Sequence, residues 1–151
     1  MQKALDWPER EGSRKCFICG PENSKGLHLK FFKLDEDAVT TEFYPPQEWS
    51  GWDGLMHGGL QCALLDEITA WAVSTLKGRV YFVTIGLEVR YRRPVRLDQK
   101  LTLIGRILKE TGRGSRVLGR ILDRKGRVLS EAESTVLHVD RERFQKLMAS
   151  S

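Results

Sequence analysis

Hydrophobic positions along the chain change period once, and that change organises the rest. The run LQCALLDEITAWAVSTL, from Leu60 to Leu76, holds no proline or glycine, and none follows until Gly78. Its length and composition predict one helix of about 18 residues, opened by His57-Gly58-Gly59. Beyond it, Val83, Ile85, Leu87, Val89 and Tyr91 alternate with Thr84, Gly86, Glu88 and Arg90. Alternation of this kind predicts a strand with one buried face. Three more strand-like runs follow at Lys100 to Lys109, Ser115 to Asp123 and Val128 to Val139, with Lys125-Gly126 turning between the last two. Ahead of the helix, Leu27 to Leu34 and Val39 to Tyr44 flank the acidic turn Asp35-Glu36-Asp37 and predict a hairpin ended by Pro45-Pro46. Residues 1–26 predict an irregular or partly helical lead-in, broken by Pro8, Gly12, Gly20, Pro21 and Gly26. A tail follows at 141–151, with a short amphipathic helix over Arg141 to Met148.

The predicted order is therefore two strands, one long helix and four strands. One helix cannot cover a six-stranded sheet on both faces. The simplest packing is α+β, an antiparallel sheet of five to six strands wrapped around one long central helix, within a single domain at 27–140. The far face of the sheet would stay partly free, available for self-association.

Composition narrows the class. With 40% hydrophobic and 30% charged residues in 151, the chain falls in the globular range and is long enough for one real core. No apolar run approaches the ~20 residues that span a bilayer, and the opening MQKALDWPEREGSRK lacks a signal-peptide stretch. Three cysteines are odd in number and few for a secreted disulfide framework. Together these predict a soluble, cytoplasmic protein with no membrane association.

The net charge of +5 is unevenly spread: residues 88–127 hold thirteen Lys or Arg against four Asp or Glu. Such a segment suits an anionic partner, or equally a set of solvated strands on which Lys and Arg discourage aggregation. It reads as alternating strands without a recognition helix, so no nucleic-acid partner is expected.

The helix carries two misplaced acids. Plotted at the helical period, Leu60, Leu64, Ile68 and Trp71 form one apolar stripe, and Cys62, Thr69, Ala70 and Val73 make the opposite side small or apolar too. A helix apolar nearly all round is buried. Asp66 falls among the small residues and Glu67 near the leucine stripe. Each must be paired, carry a raised pKa, or face a cleft. Structural ion pairs give the same pattern as functional acids. At the helix start, Gly58 and Gly59 allow close approach of a ligand to N–H groups that lack intrahelical partners, a place suited to an oxyanion. A tight turn into the helix explains Gly-Gly equally well. Asp66 lies eight residues after Gly58, about 12 Å along a helix. Both can act on one carbonyl only if they come from different subunits, which predicts a site shared by two antiparallel helices of a homodimer.

The run H57-G58-G59-L60-Q61-C62-A63-L64-L65-D66-E67 resembles the signature of PaaI-like hotdog-fold thioesterases, related to the 4-hydroxybenzoyl-CoA thioesterases. The segment from F82 to V95, ending R92-R93-P94-V95, resembles the family's strand closed by Pro-Val. C16-F17-I18-C19-G20 with K25-G26-L27 resembles an opening found in a subset of these proteins. The similarity spans roughly residues 16–139. It implies a hotdog fold and hydrolysis of an acyl-CoA thioester, with a homodimer and a dimer of dimers as the assembly. It places the catalytic acid at Asp66, the oxyanion donor at the Gly58 N–H, a positioning hydroxyl at Thr84 and a loop-supporting role at His57. Gly59, Glu67, Arg113 and Arg116 join His57 and Thr84 as substrate-side candidates, the arginines for the CoA phosphates alongside Arg90, Arg92 and Arg93. One departure stands out: some relatives carry a water-orienting Asn six residues before the His, and here that position is Gly51, with Asp53 or Gln47 as substitutes. A non-catalytic acyl-CoA-binding protein on the same scaffold is the alternative. A dehydratase would need a His paired with a nearby acid, and none is evident.

No cofactor and no metal are expected. Cys16-x-x-Cys19 has no second Cys pair to complete a tetrahedral site, although His28 and Cys62 stand as recruits, and it predicts a packing role. Trp49 and Trp52 suit either an acyl pocket or a plug at the end of the core. His138 reads as a polar strand residue.

Overall fold

The computed structural model describes residues 3–6 and 13–150. In chain order the elements are β1 (Phe32–Asp35), β2 (Ala38–Phe43), α1 (Gly58–Leu76), β3 (Phe82–Tyr91), β4 (Leu101–Glu110), β5 (Gly114–Leu122), β6 (Val128–His138) and α2 (Arg141–Ala149). The strands make one antiparallel sheet in the order β1-β2-β4-β5-β6-β3. α1 lies across one face of it, so the α+β hotdog arrangement holds. No helix among the described residues is long and apolar enough to cross a membrane.

The helix is buried nearly all round. Leu64, Leu65, Ile68, Thr69, Ala72 and Val73 are fully enclosed, and Trp71 stacks on Phe31 with ring centroids 4.6 Å apart. What lets it sit so deep is a pair of glycines. Gly105 of β4 and Gly119 of β5 face each other across the strands. A Cβ at Gly105 would lie 2.6 Å from the Ile68 carbonyl oxygen, and one at Gly119 would lie 3.2 Å from that of Leu65. Only a residue without a side chain admits the α1 backbone this close.

Two expectations needed correcting. The first strand begins at Phe32 rather than Leu27, because the preceding residues pair elsewhere. Leu27 and Leu29 donate to the Phe17 and Ile18 carbonyls at 2.8 and 3.0 Å. His28 between them adopts a left-handed φ of 54°, which interrupts extended pairing. The lead-in thus reaches the core, where Ile18 and Cys19 are buried. Its breakers Pro8 and Gly12 lie outside the described residues. The second correction is in β3, where the register against β6 shifts between Thr84 and Gly86. This bulge turns Ile85 outward, 60% exposed, while Phe82, Leu87 and Val89 pack on the core.

His138, read as a polar strand residue, has a buried and partnered side chain. Its Nε2 lies 2.8 Å from Ser115 Oγ and 3.6 Å from the Glu110 carboxylate, in a largely buried polar knot where β4 and β6 end and β5 begins.

Gly105→Ala is expected to lower stability by about 1–3 kcal/mol through overpacking against α1. Gly112→Ala, where an added Cβ meets nothing within 4 Å, should leave it near wild type. Urea denaturation of the two variants reads the difference; equal midpoints would mean the helix has room to move.

Candidate active site

α1 begins where two loops are tied together. Met56 N–H donates to the Val95 carbonyl at 2.8 Å and Leu97 N–H to the Gly54 carbonyl at 3.0 Å. Buried Val95 and Leu97 anchor that second loop in the core. His57 then caps the helix, its Nδ1 accepting from the Gly59 N–H at 2.9 Å. The cap satisfies one orphan donor and leaves the Gly58 N–H, which has no intrahelical acceptor. A cavity of about 360 Å³ opens here, lined by Gly51, Trp52, Met56, His57 and Gly58.

Gly51 packs closely against the helix start. A Cβ at that position would lie 3.0 Å from His57 Cα, a tight contact that a side chain would relieve only by a small shift of the helix start. The two tryptophans divide their roles: Trp49 packs on Phe43 with centroids 5.7 Å apart, whereas Trp52 stands 82% exposed at the cavity rim.

β3 runs back along α1 and meets it twice. Near its start, Thr84 Oγ1 donates to Asp66 Oδ1 at 2.9 Å. Near its end, Tyr91 OH donates to the Gly58 carbonyl at 3.0 Å and lies 3.0 Å from Cys62 Sγ. The Cys62 hydrogen bond raises the Tyr91 pKa. Asp66 is half-buried, neither sealed in the core nor open to bulk water. The structure thus joins Asp66 with Thr84, and His57 with Gly58 and Gly59, as two clusters about 12 Å apart along α1. Tyr91 went unrecognised in the sequence, where alternation assigned it to the core; it is 56% exposed.

Glu67 points elsewhere. Its carboxylate accepts from Trp71 Nε1 at 3.0 Å and from Cys16 Sγ at 3.5 and 3.6 Å. Burial pushes the Glu67 carboxyl up to about 7. The Cys19 hydrogen bond draws the Cys16 thiol down to about 5, and that same contact, with burial, raises Cys19.

The basic segment is largely paired within the chain. Arg116 binds Glu133, Arg92 and Arg120 bind Glu131, and Arg106 binds Asp35. Arg116 alternates with the buried Ser115 and Val117, which places it on the sheet face opposite α1. Arg113 lies in the β4–β5 turn, its carbonyl accepting from His138 N–H at 2.9 Å. Neither arginine converges on Asp66 within the chain. A separate hollow of about 760 Å³ is lined by Arg93, Arg96, Arg124, Lys125 and Arg127, of which Arg96 and Arg127 pair with Asp98 and Asp123 in the same lining, and it borders Leu55 just before the helix start.

With this fold and this helix start, the chain belongs to the thioesterase superfamily, whose family pattern matches residues 53–130. It is a hotdog-fold member of that superfamily, with PaaI among its structural neighbours. A solved thioesterase superfamily protein is 28% identical with TM-score 0.76, over 93% of this chain and 68% of that one. A hypothetical thioesterase from Streptococcus pneumoniae, solved with coenzyme A, is 23% identical with TM-score 0.67, over 72% of this chain and 84% of that one. The E. coli PaaI protein of the phenylacetic acid degradation operon is 14% identical with TM-score 0.68, over 76% and 81%. Curated proteins give no significant match.

His57→Ala is expected to release the Gly59 N–H and destabilise the protein by about 1 kcal/mol. His57→Asn keeps an acceptor at the cap and should recover most of that loss. Thermal denaturation compares the two; a neutral alanine variant would deny the cap any energetic role.

Proposed function

We propose that this chain is a cytoplasmic acyl-CoA thioesterase that works as a homodimer. The observation that carries the reading is the Asp66 carboxylate, half-buried on the central helix and held by the Thr84 hydroxyl at 2.9 Å. A fixed, partly desolvated acid of this kind suits attack on an activated acyl group, directly or through water. Attack by Asp66 itself forms a mixed anhydride, which water then cleaves. Attack by water, with Asp66 taking its proton, gives the acid in one step. Either route releases the free acid and the CoA thiol. The Gly58 N–H, at the positive end of the α1 dipole, is the oxyanion donor.

The ~12 Å between Gly58 and Asp66 is what calls for two subunits. Support comes from β3, which ends the sheet and has no strand on its outer side among the described residues. Exposed Ile85 and Tyr91 lie along it. Pairing two copies along β3 would set each Asp66 near the other subunit's helix start. The outer sheet face, with its paired charges, would serve a dimer of dimers. The basic hollow beside Leu55 suits the CoA phosphates better than Arg113 or Arg116 do, since it borders the helix start.

Hydrolysis of a panel of acyl-CoAs tests this. Asp66→Asn is expected to lower kcat at least ~100-fold with KM changed little. Thr84→Val, which removes one hydrogen bond, should lower kcat roughly 10-fold. Light scattering should report a dimer or larger. A wild-type protein that binds CoA but cleaves no thioester would instead be the non-catalytic binding module, and a fully active monomer would end the shared-site proposal.

A further inference from the structure

The sequence offered Cys16 and Cys19 without enough partners for a metal. The fold supplies one 48 residues downstream of Cys19. A donor atom from each of Cys16, Cys19 and Glu67 lies within 4.8 Å of the others, at the junction between the N-terminal loop and α1. We propose that Cys16, Cys19 and Glu67 bind a zinc ion that joins this loop to the central helix, with a water completing the tetrahedron. The site lies outside the Asp66 cluster and goes beyond the proposed thioesterase activity.

The Cys16–Glu67 edge of the site already has ligand spacing. Zinc bonds of about 2.3 Å to sulfur and 2.0–2.2 Å to oxygen place tetrahedral donors roughly 3.5–3.8 Å apart. Cys16 Sγ lies 3.5 and 3.6 Å from the two Glu67 oxygens. The Cys-x-x-Cys turn is held tight. Gly20 N–H donates to the Cys16 carbonyl at 2.9 Å. A Cβ at Gly20 would fall 2.3 Å from Cys16 N, so the turn closes only on glycine. The same loop is braced from outside by Leu27 and Leu29, which donate to the Phe17 and Ile18 carbonyls. Both cysteines are free thiols.

Glu67 is oriented as a ligand usually is, by a second partner of its own. Trp71 Nε1 donates to its Oε1 at 3.0 Å, and the Trp71 ring is fixed by its stack on Phe31. Cys19 is buried and Cys16 and Glu67 are partly so. Three acidic groups gathered away from water repel one another once they ionise, and a divalent cation converts that repulsion into attraction. Two thiolates select zinc over magnesium or calcium, which prefer all-oxygen shells. A cavity of about 410 Å³ lined by Cys19, His28 and Trp71 opens beside the Cys19 side of the cluster.

The test uses the full chain purified from zinc-supplemented cells without chelator. Elemental analysis should find about one zinc per chain. The Cys16→Ser/Cys19→Ser double variant should lose it. Glu67→Gln, matched in size, should release zinc to a chromophoric chelator at least ~10-fold more readily with an unchanged circular dichroism spectrum. Cobalt substitution of the wild type reads the ligands even if a variant fails to fold: a thiolate-to-cobalt band in the near ultraviolet and intense visible bands signal a tetrahedral thiolate site. A metal-free protein with all three cysteines titrating as thiols, a Cys16–Cys19 disulfide by mass, or unaltered zinc retention in Glu67→Gln would each overturn the proposal.

Discussion

Two glycines facing each other across β4 and β5 allow the backbone of α1 to rest directly on the sheet. Every later feature inherits that depth. Because the helix sits low, its flanks as well as its underside are enclosed, and few positions on it can be polar without a partner. Asp66 finds Thr84 and Glu67 finds Trp71 and the Cys16 loop. The two adjacent acids, about 100° apart around the helix, therefore serve different walls of the same rod. One faces the terminal strand of the sheet, and the other faces the chain's opening segment.

The same depth fixes where the ends of α1 lie. Its first turn is bracketed by the loop that carries Val95 and Leu97 into the core, so the N–H groups of the glycines are presented at a set place rather than on a wandering loop. The hydroxyl of Tyr91 reaches this turn from β3, so the strand and helix are coupled at both of their meeting points.

Much of this was legible in the sequence, for physical reasons. A long apolar run without Gly or Pro can hardly be anything but a buried helix, and the residues of the first strand after it alternate in sequence, although a bulge breaks that period in the fold. The acids were conspicuous because charge on such a helix needs an explanation. What stayed hidden depended on distance along the chain. Nothing in the spacing of Cys16 and Cys19 announces a carboxylate at position 67, and the pairing of Leu27 and Leu29 with the lead-in looks, in sequence, like an ordinary first strand. Charge was the other blind spot. A surplus of Lys and Arg at 88–127 suggested a patch, but strands bring distant residues side by side, and Glu131 and Glu133 of β6 pair with Arg92, Arg120 and Arg116 and offset part of it. Exposed pairs of this kind contribute little to stability, about 0–1 kcal/mol each, so their effect is mainly to erase a field.

The β3 bulge follows immediately after Thr84. A regular strand can slide past its neighbour by two residues and still keep its greasy side inward, since only odd slips invert the faces. A bulge removes that freedom, for the extra residue fits at one place alone. It thereby works as an indexing notch, and the only hydroxyl on the strand's leading half is locked opposite the helix carboxylate. Phe82 and Gly86, two residues to either side, have no side-chain donor to offer an acid, so an unindexed strand would leave that acid without its partner.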